Sequence, residues 1–210
     1  ISGNDLYILV YLDNLNNVYI QKSSNGTTWV NNPTPLVSNV YYIGQIKCNG
    51  STWIITGNKP GGIATIWRST DSIIWNENSL DSITSFPNGI QWVVAWGIND
   101  IIYTGKNWIC CGYGGSSFTF VRYSNNDGIN WFTANNVANL MHPRSISYNN
   151  NSQRLIITSS QNATDNKSAY SDDHGINWIA ISDNIRGFTG GNSGLQNAIN
   201  YNGSKWISGG

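Results

Sequence analysis

The sequence predicts an all-β protein made of four-stranded antiparallel sheets that recur along the chain. Three observations support this prediction: helix-favouring residues are scarce, two series of large apolar residues keep a constant offset, and short alternating runs end in Asn/Gly turns. The 210 residues suffice for one to two ordinary domains, or for a single all-β domain with a buried core.

The composition excludes several classes of protein. Charged residues make up only 10% of the chain, and 11 basic and 11 acidic residues give a formal net charge of zero. We therefore expect no nucleic-acid partner and no anionic membrane surface as a partner. The chain has 32 Asn and 22 Gly but a single Glu, which excludes helical bundles and coiled coils. No run reaches the roughly 18 apolar residues of a spanning helix, so we expect no membrane insertion.

Two series of large apolar residues reveal an internal repeat. The first series is Trp29, Trp75, Trp131 and Trp178. The second series is Tyr7, Trp53, Trp108, Leu155 and Trp206. The offset from the second series to the first is 22, 22, 23 and 23 residues, a regularity that unrelated positions would not show.

Each repeat is predicted to contain four strands. A first strand such as Ile46–Cys48 runs into an Asn-Gly turn, and a second strand begins directly afterwards at Trp53. Because Asn-Gly favours positive φ at both turn positions, we predict a tight hairpin there. A third strand follows, and the fourth is expected to begin at the tryptophan of the first series.

Stacked meanders of about fifty residues each predict a β-propeller, because one meander leaves two apolar faces exposed. The repeats are expected at about residues 1–39, 40–89, 90–140 and 141–194, with a partial repeat at 195–210. The first lacks its first strand, and the last has only strands one and two. Two interpretations stay open: a segment of a larger propeller or an oligomer that shares blades, and a ring of four blades closed by the last strand. The long stretch from Asn76 to Gly97 is predicted to be a loop insertion.

The turn between the third and fourth strands carries a recurring pattern of Ser, Asp or Asn, Gly and Trp. The Ser and Asp or Asn side chains can accept hydrogen bonds from the turn's own amides, while Gly takes a positive φ and Trp covers the hairpin. We call the four copies, at residues 23–29, 69–75, 124–131 and 171–178, the Ser-Asx turns; the first two are one residue shorter. Their pattern residues are Ser23, Asn25 and Trp29; Ser69, Asp71 and Trp75; Ser124, Asn126, Gly128 and Trp131; and Ser171, Asp173, Gly175 and Trp178.

This pattern, Ser-x-Asp-x-Gly-x-x-Trp, resembles the Asp-box, also called the bacterial neuraminidase repeat. The match is complete at residues 171–178 and has Asn for Asp at residues 124–131. The resemblance implies a β-propeller whose boxes lie on the outer side, in a structural role away from any active site. The family includes sialidases, other glycosidases and sortilin-type receptors, so the resemblance predicts the fold better than the function.

The candidate binding residues belong to the loops at the other end of the predicted sheets. Aromatic side chains beside Asn and Asp suit stacking on a sugar or contact with a protein. The candidates are Trp92, Trp96, Tyr113, His142, Arg144 and Arg186. We predict a non-catalytic scaffold or interaction module whose partner is a glycan or a protein, in an extracellular or virion-surface location.

Two alternatives remain. A sialidase-like glycoside hydrolase needs clustered arginines and paired carboxyl groups, whereas this chain has scattered arginines and Glu77 as its only Glu. The Phe-Arg-Ile-Pro segment typical of that family's sialidases is also missing. A purely structural part of a virion or cell-surface assembly would fit the low charge and the many Asn residues. We expect no cofactor and no metal, because Cys48, Cys110 and Cys111 lack the paired spacing of zinc ligands and are predicted to be packing residues.

Overall fold

The computed structural model describes residues 6–60, 63–80, 95–114, 118–137, 140, 143–159, 168–181 and 198–209. These residues form β-strands and turns, and within them no helix capable of crossing a membrane is found. The chain divides into two compact units, residues 1–97 and 98–210.

The first unit contains two sheets whose strands follow one another in sequence order. The first sheet consists of β1 (Tyr7–Leu12), β2 (Val18–Ser23) and β3 (Val30–Asn31). The second sheet consists of β4 (Tyr42–Cys48), β5 (Trp53–Lys59), β6 (Ile63–Ser69) and β7 (Asn76–Ser79). Side chains alternate between the two faces of β1, so Ile8 and Val10 pack towards buried Val18 and Ile55 while Tyr7 remains exposed on the other face.

Three further sheets follow the same order. The third sheet consists of β8 (Ala95–Tyr103), β9 (Trp108–Gly114), β10 (Phe118–Ser124) and β11 (Phe132–Thr133). The fourth consists of β12 (Pro143–Asn149), β13 (Arg154–Ser159), β14 (Ser168–Ser171) and β15 (Ile179–Ala180). The fifth is the pair β16 (Ala198–Tyr201) and β17 (Trp206–Gly209). The prediction of an all-β chain of four-stranded antiparallel sheets is confirmed.

Strand register explains the constant offset between the two apolar series. In four successive sheets, the residue of the second series lies directly opposite the Ser that opens the Ser-Asx turn. These pairs are Tyr7 with Ser23, Trp53 with Ser69, Trp108 with Ser124, and Leu155 with Ser171. The fourth strands begin one residue after the first-series tryptophan rather than at it.

Two further predictions need correction. In the Asn-Gly hairpins only the glycine has a positive φ, for example 105° at Gly50. The Oδ1 atom of Asn49 instead accepts hydrogen bonds from the amides of Ser51 and Thr52, at 3.1 and 2.8 Å. The predicted insertion is also not a loop at its ends, because Asn76–Ser79 forms β7 and β8 begins at Ala95. Residues 81–94 lie outside the described part of the chain.

The core of the second unit lies between the third and fourth sheets. Alternating residues of β9 and β13, among them Ile109, Cys111 and Ile157, are buried together with Trp178. All three cysteines are free thiols. Burial raises the pKa of the Cys110 and Cys111 thiols, so both are held in the neutral form.

Candidate functional site

The longer Ser-Asx turns are held by side chains that bind the turn's own backbone. The Oγ atom of Ser171 accepts a hydrogen bond from the amide of Gly175 at 3.0 Å. The Oδ1 atom of Asp173 accepts hydrogen bonds from the amides of Ile176 and Asn177, at 3.1 and 2.9 Å. These bonds join residues at most four positions apart, so the turn is specified by its local sequence.

The shorter turns keep the same bonding scheme with one residue fewer. The Oδ1 atom of Asp71 accepts hydrogen bonds from the amides of Ile73 and Ile74, both at 2.8 Å. Each longer turn has two consecutive residues with positive φ, and each shorter turn has one. In the longer turns these residues are Asp127 with Gly128 and His174 with Gly175, and in the shorter turns they are Gly26 and Ser72. A longer turn therefore differs from a shorter one by one additional residue in the left-handed region.

Hydrogen bonding also sets the acidity of the turn carboxylates. For Asp173, burial favours a higher pKa, but hydrogen bonds from Asn177, Ser171 and Ile176 outweigh it and lower the pKa below its usual value. For Asp71, hydrogen bonds from the amides of Ile73 and Ile74 lower the pKa. Both carboxylates therefore remain ionised acceptors in the folded chain at neutral pH.

In the second unit, the turn at residues 171–178 is joined to the sheet before it. The amide of Asn135, which follows β11, donates to the carbonyl oxygen of Ile176 at 2.8 Å, and the amide of Trp178 donates back to the Asn135 carbonyl at 3.2 Å. Trp178 is only 1% exposed, and its indole N–H donates to the Gly175 carbonyl at 3.0 Å. We call such a junction between a Ser-Asx turn and the preceding sheet a seam. This seam is closed.

The corresponding seam in the first unit is open. Asn32 donates to the Ile20 carbonyl at 3.3 Å, as Ala134 donates to the Val121 carbonyl at 3.1 Å, so the next residues, Pro33 and Asn135, hold equivalent positions. Proline has no N–H and cannot form the bond that Asn135 makes. A cavity of about 310 Å³, here called the seam groove, lies there. It is lined by Ile20, Lys22, Val30, Asn31, Asn32, Pro33, Leu36, Ser72, Ile73 and Trp75.

Lys22 is the charged side chain among the residues that line the seam groove. Its ammonium group donates to the Oγ atom of Ser72 at 2.9 Å. Burial lowers the pKa of Lys22, and the nearby Asp71 carboxylate opposes this effect. The side chain thus spans the groove from β2 to the Ser-Asx turn of the second sheet.

Three of the six predicted binding residues belong to described strands. Trp96 belongs to β8, Tyr113 to β9 and Arg144 to β12, which corrects their placement in loops. Each lies at the end of its strand remote from the Ser-Asx turns. The side chains of Trp96 and Tyr113 are outside the described part of the structure, as are Trp92, His142 and Arg186 altogether.

Several ionisable groups bind other parts of their own sheets. Glu77 accepts hydrogen bonds from Lys59 at 2.6 Å and from the Trp67 indole at 3.2 Å. Arg154 binds Asp172 through two hydrogen bonds of 2.8 Å, and these bonds lower the pKa of Asp172. In the described ranges, no three His, Cys, Asp or Glu side chains are grouped as a metal site would require.

Comparison with known proteins bears on the fold. No protein-family model and no curated protein matches the sequence. Trypanosoma rangeli sialidase in complex with sialic acid matches with a TM-score of 0.52 and 14% identity. The same sialidase in complex with a difluoro-nononic acid matches with a TM-score of 0.54 and 15% identity. The sheets of this chain are therefore blades of a β-propeller.

The similarity is partial in extent. The match covers 86% of this chain but 36% of the sialidase bound to sialic acid, and 85% and 36% for the second complex. This chain thus spans about a third of the length of the sialidase structures that it matches.

Proposed function

We propose that this chain is a non-catalytic β-propeller module that binds a glycan at the ends of its strands opposite the Ser-Asx turns. The observation that carries the proposal concerns β9 and β12, which contact each other in the second unit. Tyr113 lies near the last residue of β9, and Arg144 lies near the first residue of β12, so the two belong to the same end of adjacent blades. A tyrosine and an arginine at the same end of adjacent blades suit a sugar ring and its hydroxyl groups.

The matched structures add indirect support. The sialidases that share this fold are described in complex with sialic acid and related sugars. The proposal also includes Trp92, Trp96, His142 and Arg186, on the basis of the sequence prediction. In this proposal the Ser-Asx turns are Asp-boxes with a structural role, and the protein acts at a cell or virion surface.

The proposal is non-catalytic because two carboxylates in the described part of the chain, those of Glu77 and Asp100, are bound by other residues of the blades. Glu77, the chain's only Glu, is bound by Lys59 and Trp67. The Oδ2 atom of Asp100 accepts hydrogen bonds from the Ser145 hydroxyl at 3.1 Å and the Ile146 amide at 3.0 Å. A paired acid and base for hydrolysis would need carboxyl groups facing a sugar instead.

A glycan array followed by titration of the bound sugars tests the proposal. We expect Tyr113→Ala and Arg144→Ala to weaken binding at least tenfold. The control is Trp29→Ala, which removes an indole from a Ser-Asx turn and should leave binding unchanged. Binding that is unaffected by Tyr113→Ala and Arg144→Ala would overturn the proposed surface. Release of sugar from fluorogenic glycosides would favour the hydrolase alternative, and the absence of any binding would favour a structural component.

A further inference from the structure

The open seam in the first unit is a departure from the repeat and has an identifiable cause. At the equivalent place in the second unit, Asn135 and Trp178 join two blades through their main chains. Pro33 removes the donor that Asn135 supplies, and the turn at residues 69–75 is one residue shorter than the turn at residues 171–178. Natural sequences tend to break a local rule where a function needs it. The seam groove is such a place.

Lys22 is the cationic side chain of the groove. It directly precedes the Ser of its turn, where the second blade also has a cation, Arg68, and the third and fourth blades have Tyr123 and Tyr170. An ammonium group has three N–H donors, and within the described residues Lys22 uses one of them, on Ser72. The Asp71 carboxylate acts on Lys22 through its charge, while its Oδ1 atom accepts hydrogen bonds from its own turn. Lys22 therefore has capacity for an anionic group in the groove.

The rim of the groove is apolar and exposed. Val30 is 68% exposed and Ile73 is 75% exposed, and both line the cavity. Ile74, next to the groove, is 65% exposed. Exposed apolar side chains grouped around a cavity are typical of surfaces that bind other proteins. Val30 also belongs to β3, the outer strand of its sheet among the described residues, and an outer strand can pair with an extended peptide.

We propose that the seam groove binds an extended segment of a partner protein, in which an Asp or Glu flanked by apolar residues reaches Lys22. The acidic side chain forms a charge-assisted hydrogen bond with the Lys22 ammonium between the apolar walls of Ile20 and Leu36, where low polarity strengthens the pair. The flanking apolar residues cover Val30 and Ile73. This site lies on the Ser-Asx side of the first unit, and the proposal is independent of glycan binding.

A peptide array tests the proposal. The probes are heptapeptides with Asp or Glu at the centre and varied apolar neighbours, and a matched set with Asn or Gln at the centre. We expect the whole chain to bind members of the acidic set and to bind their amide counterparts at least tenfold more weakly. Lys22→Met should remove this preference for the acidic set. Equal binding of the two sets, or no binding of either, would overturn the proposal.

A second pair of variants separates binding from folding. Ile73→Asp places a negative charge at the exposed rim of the groove and should weaken binding of the acidic peptides at least tenfold. Ile129→Asp changes the equivalent exposed residue of the turn at residues 124–131 and should have no effect. Equal effects of the two variants would contradict the proposed site. Glycan binding that depends on Lys22 would also overturn it, because the groove would then serve a sugar.

Discussion

The amides of Asn135 and Trp178 each take part in the hydrogen bonds that close the seam in the second unit. The first donates to the Ile176 carbonyl at 2.8 Å, and the second donates to the Asn135 carbonyl at 3.2 Å. Pro33 stands at the position equivalent to Asn135 in the first unit, where the seam is a groove. One missing N–H therefore accompanies the difference between a packed junction and a cavity.

Asn135→Pro should destabilise the chain because it leaves the Ile176 carbonyl without its donor. We expect a loss of about 1–3 kcal/mol in the free energy of unfolding, the usual cost of an unpaired polar group. Asn135→Ala keeps the amide and removes only the exposed side-chain bond to Asn177, so its loss should be smaller. Urea unfolding of both variants measures the difference. Equal losses in the free energy of unfolding would show that the main-chain bond adds nothing to stability.

Gly175→Ala should cost more than Gly105→Ala although both glycines have nearly the same φ, 85° and 83°. The conformational penalty of a left-handed residue, about 1–2 kcal/mol, applies to both. A Cβ at Gly105 would meet nothing, whereas a Cβ at Gly175 would overlap Cγ1 of Ile109. We expect overpacking to add about 1–3 kcal/mol at Gly175. Thermal or urea unfolding giving the same loss for both variants would contradict this packing.

Asp173→Ala should lower the free energy of unfolding by about 1 kcal/mol, because the turn amides lose their acceptor. Asp173→Asn is the matched control, since Asn serves at Asn25 and Asn126 in other copies. The lowered pKa of Asp173 makes its contribution complete above pH 3.8, and the contribution is lost as the pH falls through the folded-state pKa. Urea unfolding from pH 6 downwards should show a smaller acid-dependent loss in both variants than in the wild type, because Asp71, Asp172 and His174 still contribute to it.

His174 should make the stability depend on pH near neutrality. Its Nδ1 atom lies 3.0 Å from the Thr104 hydroxyl, and its ring lies 6.3 Å from that of Tyr148. Burial and the charge of Lys106 lower the pKa of His174, while Asp173 opposes them. The folded chain therefore binds this proton more weakly than the unfolded chain.

The contribution of neutral His174 to the free energy of unfolding should be fully present above pH 6.5, the ordinary pKa of histidine. This contribution should be lost as the pH falls from there through the folded-state pKa of His174. His174→Asn retains a side chain that tolerates positive φ and should remove this decline. His142→Asn changes the chain's only other histidine and serves as the control. A decline that persists in His174→Asn would show that another group causes it.

The strands and turns could be predicted because their causes lie within a few residues. Trp53 and Trp108, each directly after a turn, mark the starts of β5 and β9. The Ser-Asx turns at residues 171–178 and 69–75 are built from bonds between residues at most four positions apart. The placement of Trp96, Tyr113 and Arg144 in loops was wrong because strand ends extend as far as pairing with a neighbouring strand allows. Such pairing depends on residues far away in the sequence.

Local residues were enough to establish the repeating antiparallel blades, their order and the pattern of their outer turns. The depth at which each blade buries its tryptophan depends on the neighbouring blade. Trp29 is 37% exposed and Trp178 is 1% exposed, although both end the same turn motif. Trp178 packs in a buried cluster with Ile109 and Ala134, more than forty residues earlier in the chain. The seam groove accompanies the missing N–H donor at Pro33. Contacts between distant residues follow from packing, which no local pattern encodes.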